Sequence, residues 1–424
     1  MLLLISVLVG IAAIFGWLSS RVLRLPNTIG TMLLTAISSI ALVLLAPVLP
    51  GPHRWALSIL SQINFENLIL HGMLSLLLFA GAFLLDLRSL RQQRLPVALL
   101  SVIATVLSAL AVGAITFFVV RLFGFHSSPL ECLLFGALIS PTDPIAVLEM
   151  LRRVHAPRHL EAQLAGESLF NDGVGAVIFI SLLAAATHGT APTATHIILQ
   201  IFLSSGGGIL LGAILAWPVA QLMSVVTAPA IDLLLSLALA LGGYVFAEHL
   251  GISAPLEAVS AALVLRTLIE RFPHHSVAHQ DLNHFWSNLD EVQNAILFVL
   301  LGCGFLVVTF HRSSVFLGLT EVLIVNLVRI ASVGLVLLLL KLFRANCSSS
   351  LLVLSWGGLR GGLSIALALS IPATFGEGWI VTSTYVLVVF TVLVQGSTMG
   401  LVLRRFQRTS PTEQPIPPAT DQAA

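Results

Sequence analysis

Long apolar runs, each about the length of a bilayer crossing, alternate along this chain with short clusters of arginine, proline and polar residues. The run Val97–Val120 shows no alternation of period two, which excludes barrel strands and leaves helices, which satisfy their backbone polar groups internally. The pattern predicts thirteen spanning helices: residues 1–17, 28–45, 68–85, 96–120, 130–150, 166–186, a seventh ending near Met223, then 231–248, 255–268, 288–310, 316–342, 351–371 and 379–403. Pro47–Ile63, with Arg54 and Trp55, reads as a connector at the membrane interface. The residues between Arg271 and Phe285, including His274, His275, His279 and His284, read as a solvated polar loop. The Pro-rich end reads as a short disordered tail.

Composition agrees with the pattern. Charged residues are 9% of the chain and hydrophobic residues 57%, against about 25% charged in a soluble domain. The apolar Met1–Trp17 lacks the basic start and small-residue cleavage site of a signal peptide and reads as the first span. Cys132, Cys303 and Cys347 sit in or beside apolar runs, giving neither a disulfide framework nor a metal site. Thirteen spans with the N-terminus outside leave Arg54, Arg121 and Arg312 on the outer side and Arg329 and Arg360 within helices. The other fifteen of the twenty Lys and Arg residues then face the cytoplasm, as the positive-inside rule requires.

Charges inside the apolar runs are costly and mark function. The fifth span is broken by Pro141 and Pro144 around Asp143, and the twelfth is loosened by Gly357, Gly358, Gly361 and Gly362 around Arg360. One interrupted helix in each half is the pattern of an inverted-repeat transporter, with spans one to six and eight to thirteen as repeats. In the sixth span, Glu167 and Asn171 share a face, and so do Ser168 and Asp172 on the adjoining one. Carboxylate, hydroxyl, amide and freed carbonyl oxygens suit a small hard cation. A partly dehydrated aspartate can be neutralised by a proton or by a cation, and that competition is the minimum machinery of exchange. Glu167 and Arg329 are expected to form a structural ion pair. Arg360 is placed to offset helix C-terminal dipoles or to repel stray cations. Asp290, beside Glu291 at the start of the tenth span, stands as a candidate funnel residue or an ordinary acidic helix start.

Pro141-Thr142-Asp143-Pro144, Gly166-Glu167-Ser168-Leu169-Phe170-Asn171-Asp172-Gly173, Asn326-Leu327-Val328-Arg329 and Gly357-Gly358-Leu359-Arg360-Gly361 resemble the signatures of the monovalent cation/proton antiporters, in their NhaP-like sodium/proton exchanger branch. Phe285-Trp286 and Asn294-Ala295-Ile296-Leu297-Phe298 are also similar, so the resemblance covers nearly the whole chain. It implies an all-α membrane fold of the NhaA-like antiporter type and a homodimer in the cell membrane. Residues 1–95 and 231–310 would form the interface domain, 96–187 and 316–403 a moving core, 196–224 a linker span and 404–424 a cytoplasmic tail. It implies Asp172 as the ion- and proton-binding carboxylate, with Asp143, Ser168 and the Thr142 carbonyl around it and Asn171 where an electrogenic branch has a second aspartate. Glu167 with Arg329 match the stabilising pair, while Pro141, Pro144, Gly358, Arg360 and Gly361 support the broken helices. No cofactor is implied. Sodium is the implied substrate, with lithium and potassium as alternatives. One titrating carboxylate implies electroneutral exchange.

The third span departs from the pattern, since Phe79 is followed by Ala80-Gly81-Ala82 where many relatives carry an acidic residue. A cation channel would use the same carboxylates without proton coupling. An intramembrane hydrolase finds no nucleophile turn, and its His-x-x-x-His spacings, His155 with His159 and His275 with His279, fall in predicted loops. Asp143 and Asp172 oppose a carrier of anions.

Overall fold

The computed structural model describes residues 2–23, 26–48, 50–60, 67–154, 156–188, 194–225, 228–271, 276–308, 310–343, 350–372 and 378–409. The chain begins with α1 (Leu2–Leu18), α2 (Asn27–Leu45) and α3 (Pro50–Leu60). A π-helical stretch, Asn67–Met73, runs into α4 (Leu74–Phe83), followed by α5 (Leu87–Gln92). Next, α6 (Arg94–Leu99) continues through π-helical Leu100–Ala104 into α7 (Thr105–Leu122). Then come α8 (Pro129–Ile139), α9 (Ile145–Arg153), α10 (Arg158–His188), α11 (Ala194–Val225) and α12 (Pro229–His249). The remainder holds α13 (Ala254–Ile269), α14 (Ser276–Cys303), α15 (Arg312–Leu342), α16 (Leu351–Trp356) and α17 (Gly362–Leu369). Finally α18 (Trp379–Phe390) passes through π-helical Thr391–Gly396 into α19 (Ser397–Thr409).

Among the described residues, nine helices are long and apolar enough to cross a membrane. The other four predicted spans coincide with α4, the α8–α9 pair, α13 and the α16–α17 pair. Outward-facing Leu44, Phe118, Phe202, Leu234 and Leu327 keep large apolar side chains exposed, the surface expected against lipid.

Three sequence expectations need correction. Pro47–Ile63 is not a plain connector, because α3 occupies most of it and buries Ile59 and Leu60. The tenth span starts at Ser276, twelve residues before the predicted Asn288, so His279 and His284 are helical rather than in a loop. Leu282 and Trp286, one turn apart and buried, give that extension its packing face. His159 likewise lies in α10, which begins eight residues before the predicted Gly166. His155, His274, His275, Cys347 and the tail beyond Thr409 lie outside the described residues.

Small residues set the packing, as they do where lipid removes the hydrophobic drive between helices. A Cβ on Gly208 or Gly212 of α11 would lie 2.3 or 2.4 Å from backbone oxygens of α13 and its cap, so these two helices touch along their backbones. Phe79 and Phe83 of α4 pack against Trp286 of α14, with ring centroids 4.6 and 6.4 Å apart. A second group forms where α7 meets α8; a Cβ on Gly136 would lie 2.2 Å from the Ala109 carbonyl. There α15 packs on α7 and α18, and α10 touches both groups.

Local chemistry fixes the ends. Ser128 and Glu131 form a capping box at α8, with Pro129 as the first helical residue. Pro26 gives α2 no side-chain cap; instead Glu149 of α9 accepts from the Asn27 amide and the Thr28 hydroxyl, both at 3.1 Å.

Candidate functional site

The two interrupted helices cross at their breaks. Pro141 ends α8 by removing a donor, and Pro144 sets the start of α9. The glycines after Trp356 open α16 from α17. The extended residues pair, with the Asp143 amide donating to the Leu359 carbonyl at 2.8 Å in an isolated antiparallel bridge. Buried backbone that has lost its helical partners is satisfied here by the other broken helix.

Arg360, 1% exposed, closes much of the remaining deficit. Its Nη1 donates to the carbonyls of Ser140 and, at 2.8 Å, Pro141, just past the last turn of α8. A guanidinium there answers the negative end of the helix dipole. The Arg360 amide donates to Thr391 Oγ1 at 3.2 Å, tying the break to the π-helical stretch.

From α10, Asn171 holds Thr142 at two points. Its Nδ2 donates to Thr142 Oγ1 at 2.8 Å, and its Oδ1 accepts from the Thr142 amide at 3.2 Å. The Thr142 and Ser168 hydroxyls are 3.0 Å apart. Asp143 Oδ1 accepts from the Ile145 amide at 3.0 Å, while Oδ2 faces Gly361. A Cβ on Gly361 would lie 2.0 Å from that oxygen, so only hydrogen fits. Gly361→Ala is therefore expected to displace Asp143, lower stability by about 1–3 kcal/mol and weaken cation binding. The shift in detergent unfolding temperature and the apparent sodium affinity check this; unchanged values in both would show that the break has room.

Asp172 differs from its neighbours. No described hydrogen bond or ion pair reaches its carboxylate, which is partly accessible from a cavity of about 170 Å³. Thr142, Asp143, Ser168, Asp172, Asp290 and Arg152 supply the polar lining, and Leu74, Leu77, Leu78 and Gly81 form an apolar wall. The departure at Ala80-Gly81-Ala82 thus leaves that wall without a carboxylate.

Glu167 is turned away from this cavity. Its Oε1 accepts from Arg329 Nη1 at 2.5 Å, with both side chains at most 3% exposed. Arg329 Nη2 donates to the Leu354 carbonyl at 3.1 Å, and a Cβ on Gly358 would lie 2.7 Å from Arg329 Nε. The ion pair therefore also carries the end of α16.

Sequence reasoning passed over Arg152, counted only as a loop charge, and two buried acids. Glu321 accepts from Thr116 Oγ1 at 3.1 Å. Glu257 is fully buried with no described partner and lies against Gly243. Both stand in apolar helices, a signal as legible as that of Asp172; they lack the helix breaks that drew attention to it.

The chain is similar to known proteins over nearly its whole length. Residues 7–405 match the family described as sodium/hydrogen exchanger, transmembrane. The Na(+)/H(+) antiporter NhaP of Pseudomonas aeruginosa is 34% identical over 98% of this chain and 99% of its own length. The Na(+)/H(+) antiporter NhaH of Halobacillus dabanensis is 28% identical over 95% of this chain and 96% of its own. The solved structure of the sodium proton antiporter MjNhaP1 from Methanocaldococcus jannaschii at pH 8 superposes with a TM-score of 0.72. It covers 95% of this chain and 98% of that one at 18% identity. The all-helical fold is thus shared with a solved antiporter.

Proposed function

We propose, because the chain belongs to the transmembrane sodium/hydrogen exchanger family, a way in which its own residues exchange sodium for protons across a membrane. It is a multi-pass membrane protein and a transporter, not an enzyme. Asp172 is the exchanging group. The observation that carries this reading is its carboxylate, open to the cavity and without a described protein partner, beside the oxygens of Thr142, Ser168 and Asp143. Every other acid at the crossing is engaged: Asp143 accepts from the Ile145 amide and Glu167 pairs with Arg329. A proton or a partly dehydrated sodium ion neutralises Asp172, and the two exclude each other. Asn171 holds the Thr142 turn in place, and Arg360 keeps the carbonyls of Ser140 and Pro141 occupied so that the cation meets the Thr142 side of the break.

One carboxylate swapping one proton for one sodium ion moves no net charge. The membrane potential, worth about 2.3 kcal/mol per charge per 100 mV, then does not drive the cycle. Access alternates by an elevator-like shift of the core (α6–α10 and α15–α19) against an interface domain (α1–α4 and α12–α14), with α11 as the linker and the interface domain joining two copies. The distribution of basic loops supports an N-terminus outside and a C-terminus on the cytoplasmic side of the cell (inner) membrane. Sodium-driven proton flux in proteoliposomes, at clamped and at imposed potential, tests the stoichiometry. The expected flux is insensitive to potential; several-fold acceleration at fixed pH gradient rules out one-for-one exchange.

A further inference from the structure

The cavity holds a third carboxylate that the exchange step does not use. Asp290 belongs to α14, which packs with α1, α2, α4 and α12, so it enters the cavity from a different group of helices than Asp143 and Asp172. Asn294, one turn further along α14 and buried, lies on the same helix face as Asp290. The helix that completes this wall, α4, presents Leu74, Leu77, Leu78 and Gly81, and the two residues after it add Leu84 and Leu85, so this side brings no charge. Arg152, at the end of α9, lines the same cavity and is the one described cation that does so.

We propose that Asp290 is a further cation-binding residue for the exchange, recruiting the cation on the stationary wall before it reaches Asp172, with Arg152 as the competing charge that the cation displaces. The proposal rests on the exchange reading above and adds a residue to it. A carboxylate at a cavity wall raises the local concentration of cations and eases loss of their water, while the neighbouring guanidinium lowers both. Because α9 belongs to the group carrying Asp143 and Asp172, and α14 to the other, the Asp290–Arg152 attraction is felt only while the two walls adjoin. Asp290 therefore acts on sodium affinity and leaves the proton-carrying half of the cycle to Asp172.

The test measures sodium-dependent proton flux across a sodium titration in proteoliposomes containing wild type, Asp290→Asn, Asp290→Glu, Arg152→Gln and the double variant Asp290→Asn/Arg152→Gln. Sodium-dependent thermal stabilisation in detergent supplies a readout that needs no transport. Asp290→Asn is expected to raise the sodium KM about fivefold with the maximal rate within about twofold, and Arg152→Gln to lower KM. Asp290→Glu stays near wild type, and the double variant loses most of the Arg152→Gln gain. The stabilisation midpoints should move in the same directions. Unchanged KM and midpoint in both single variants overturns the proposal, as does a fall in maximal rate at unchanged KM, which marks a merely structural residue. If Asp290→Asn does not assemble, the Arg152→Gln shift in KM and midpoint decides by itself. Absence of sodium-dependent flux in wild type would instead strike the exchange reading and is distinguishable from all of these.

Discussion

Asp172→Asn is expected to abolish sodium-dependent proton flux while leaving the protein folded and monodisperse in detergent. The amide has almost the same volume and sits beside the same cavity, so packing is retained. What it loses is the ability to be neutral with a proton and negative without one, and no described group next to it can take over. Asp143 Oδ1 is committed to the Ile145 amide, and the Asn171 amide is spent on Thr142. The loss should therefore reach background, below about one percent of wild-type flux, which removes at least about 2.7 kcal/mol of stabilisation from the cycle. Retained cation-dependent proton release in this variant would falsify the assignment of Asp172. Loss of monodispersity would instead show that the carboxylate holds the crossing together.

The second large effect falls on Glu167 and Arg329. Removing either partner leaves a charge almost completely enclosed, a change that costs about 3–5 kcal/mol in buried pairs. Glu167→Gln and Arg329→Gln are each expected to lower the unfolding temperature and the yield of folded protein far more than Asp172→Asn does. Exchanging the charges, Glu167→Arg with Arg329→Glu, should recover part of that loss and part of the flux. Recovery stays incomplete because a glutamate at 329 cannot donate to the Leu354 carbonyl, as Arg329 Nη2 does. Equal damage in the reversed pair and both single variants would mean that the surroundings of each group, rather than their attraction, set their worth.

The breaks were legible because proline and glycine act on the backbone locally. Pro141 and Pro144 cannot complete a helix wherever they stand, so Asp143 had to sit in an interruption. That Asp143 would pair with Leu359 was not legible, since nothing in either segment names its partner across the membrane. The apolar helices could be counted from their runs, but an amphipathic extension hides from such a count. The first turns of α14 carry histidines and read as solvated, although Leu282 and Trp286 bury one face. Arg152 is visible in the sequence only as part of a basic loop, and Asp290 as a candidate funnel residue or an acidic helix start. Their shared cavity is a product of packing between distant helices, which sequence pattern does not encode. Glu167 and Arg329 are legible as a pair because burying either charge alone in an apolar helix is costly.

The tie between Asp143 and Leu359, with Arg360 clamped on Ser140 and Pro141, binds the oxygens of the proposed ion site and their supports into one body. A site held in this way keeps its ligand distances when the body that contains it is displaced. Its intrinsic affinities for sodium and for the proton are then the same seen from either side of the membrane. Under the one-for-one exchange proposed above, the protein has no built-in direction, and the two concentration ratios decide which ion runs downhill and which is carried against its gradient.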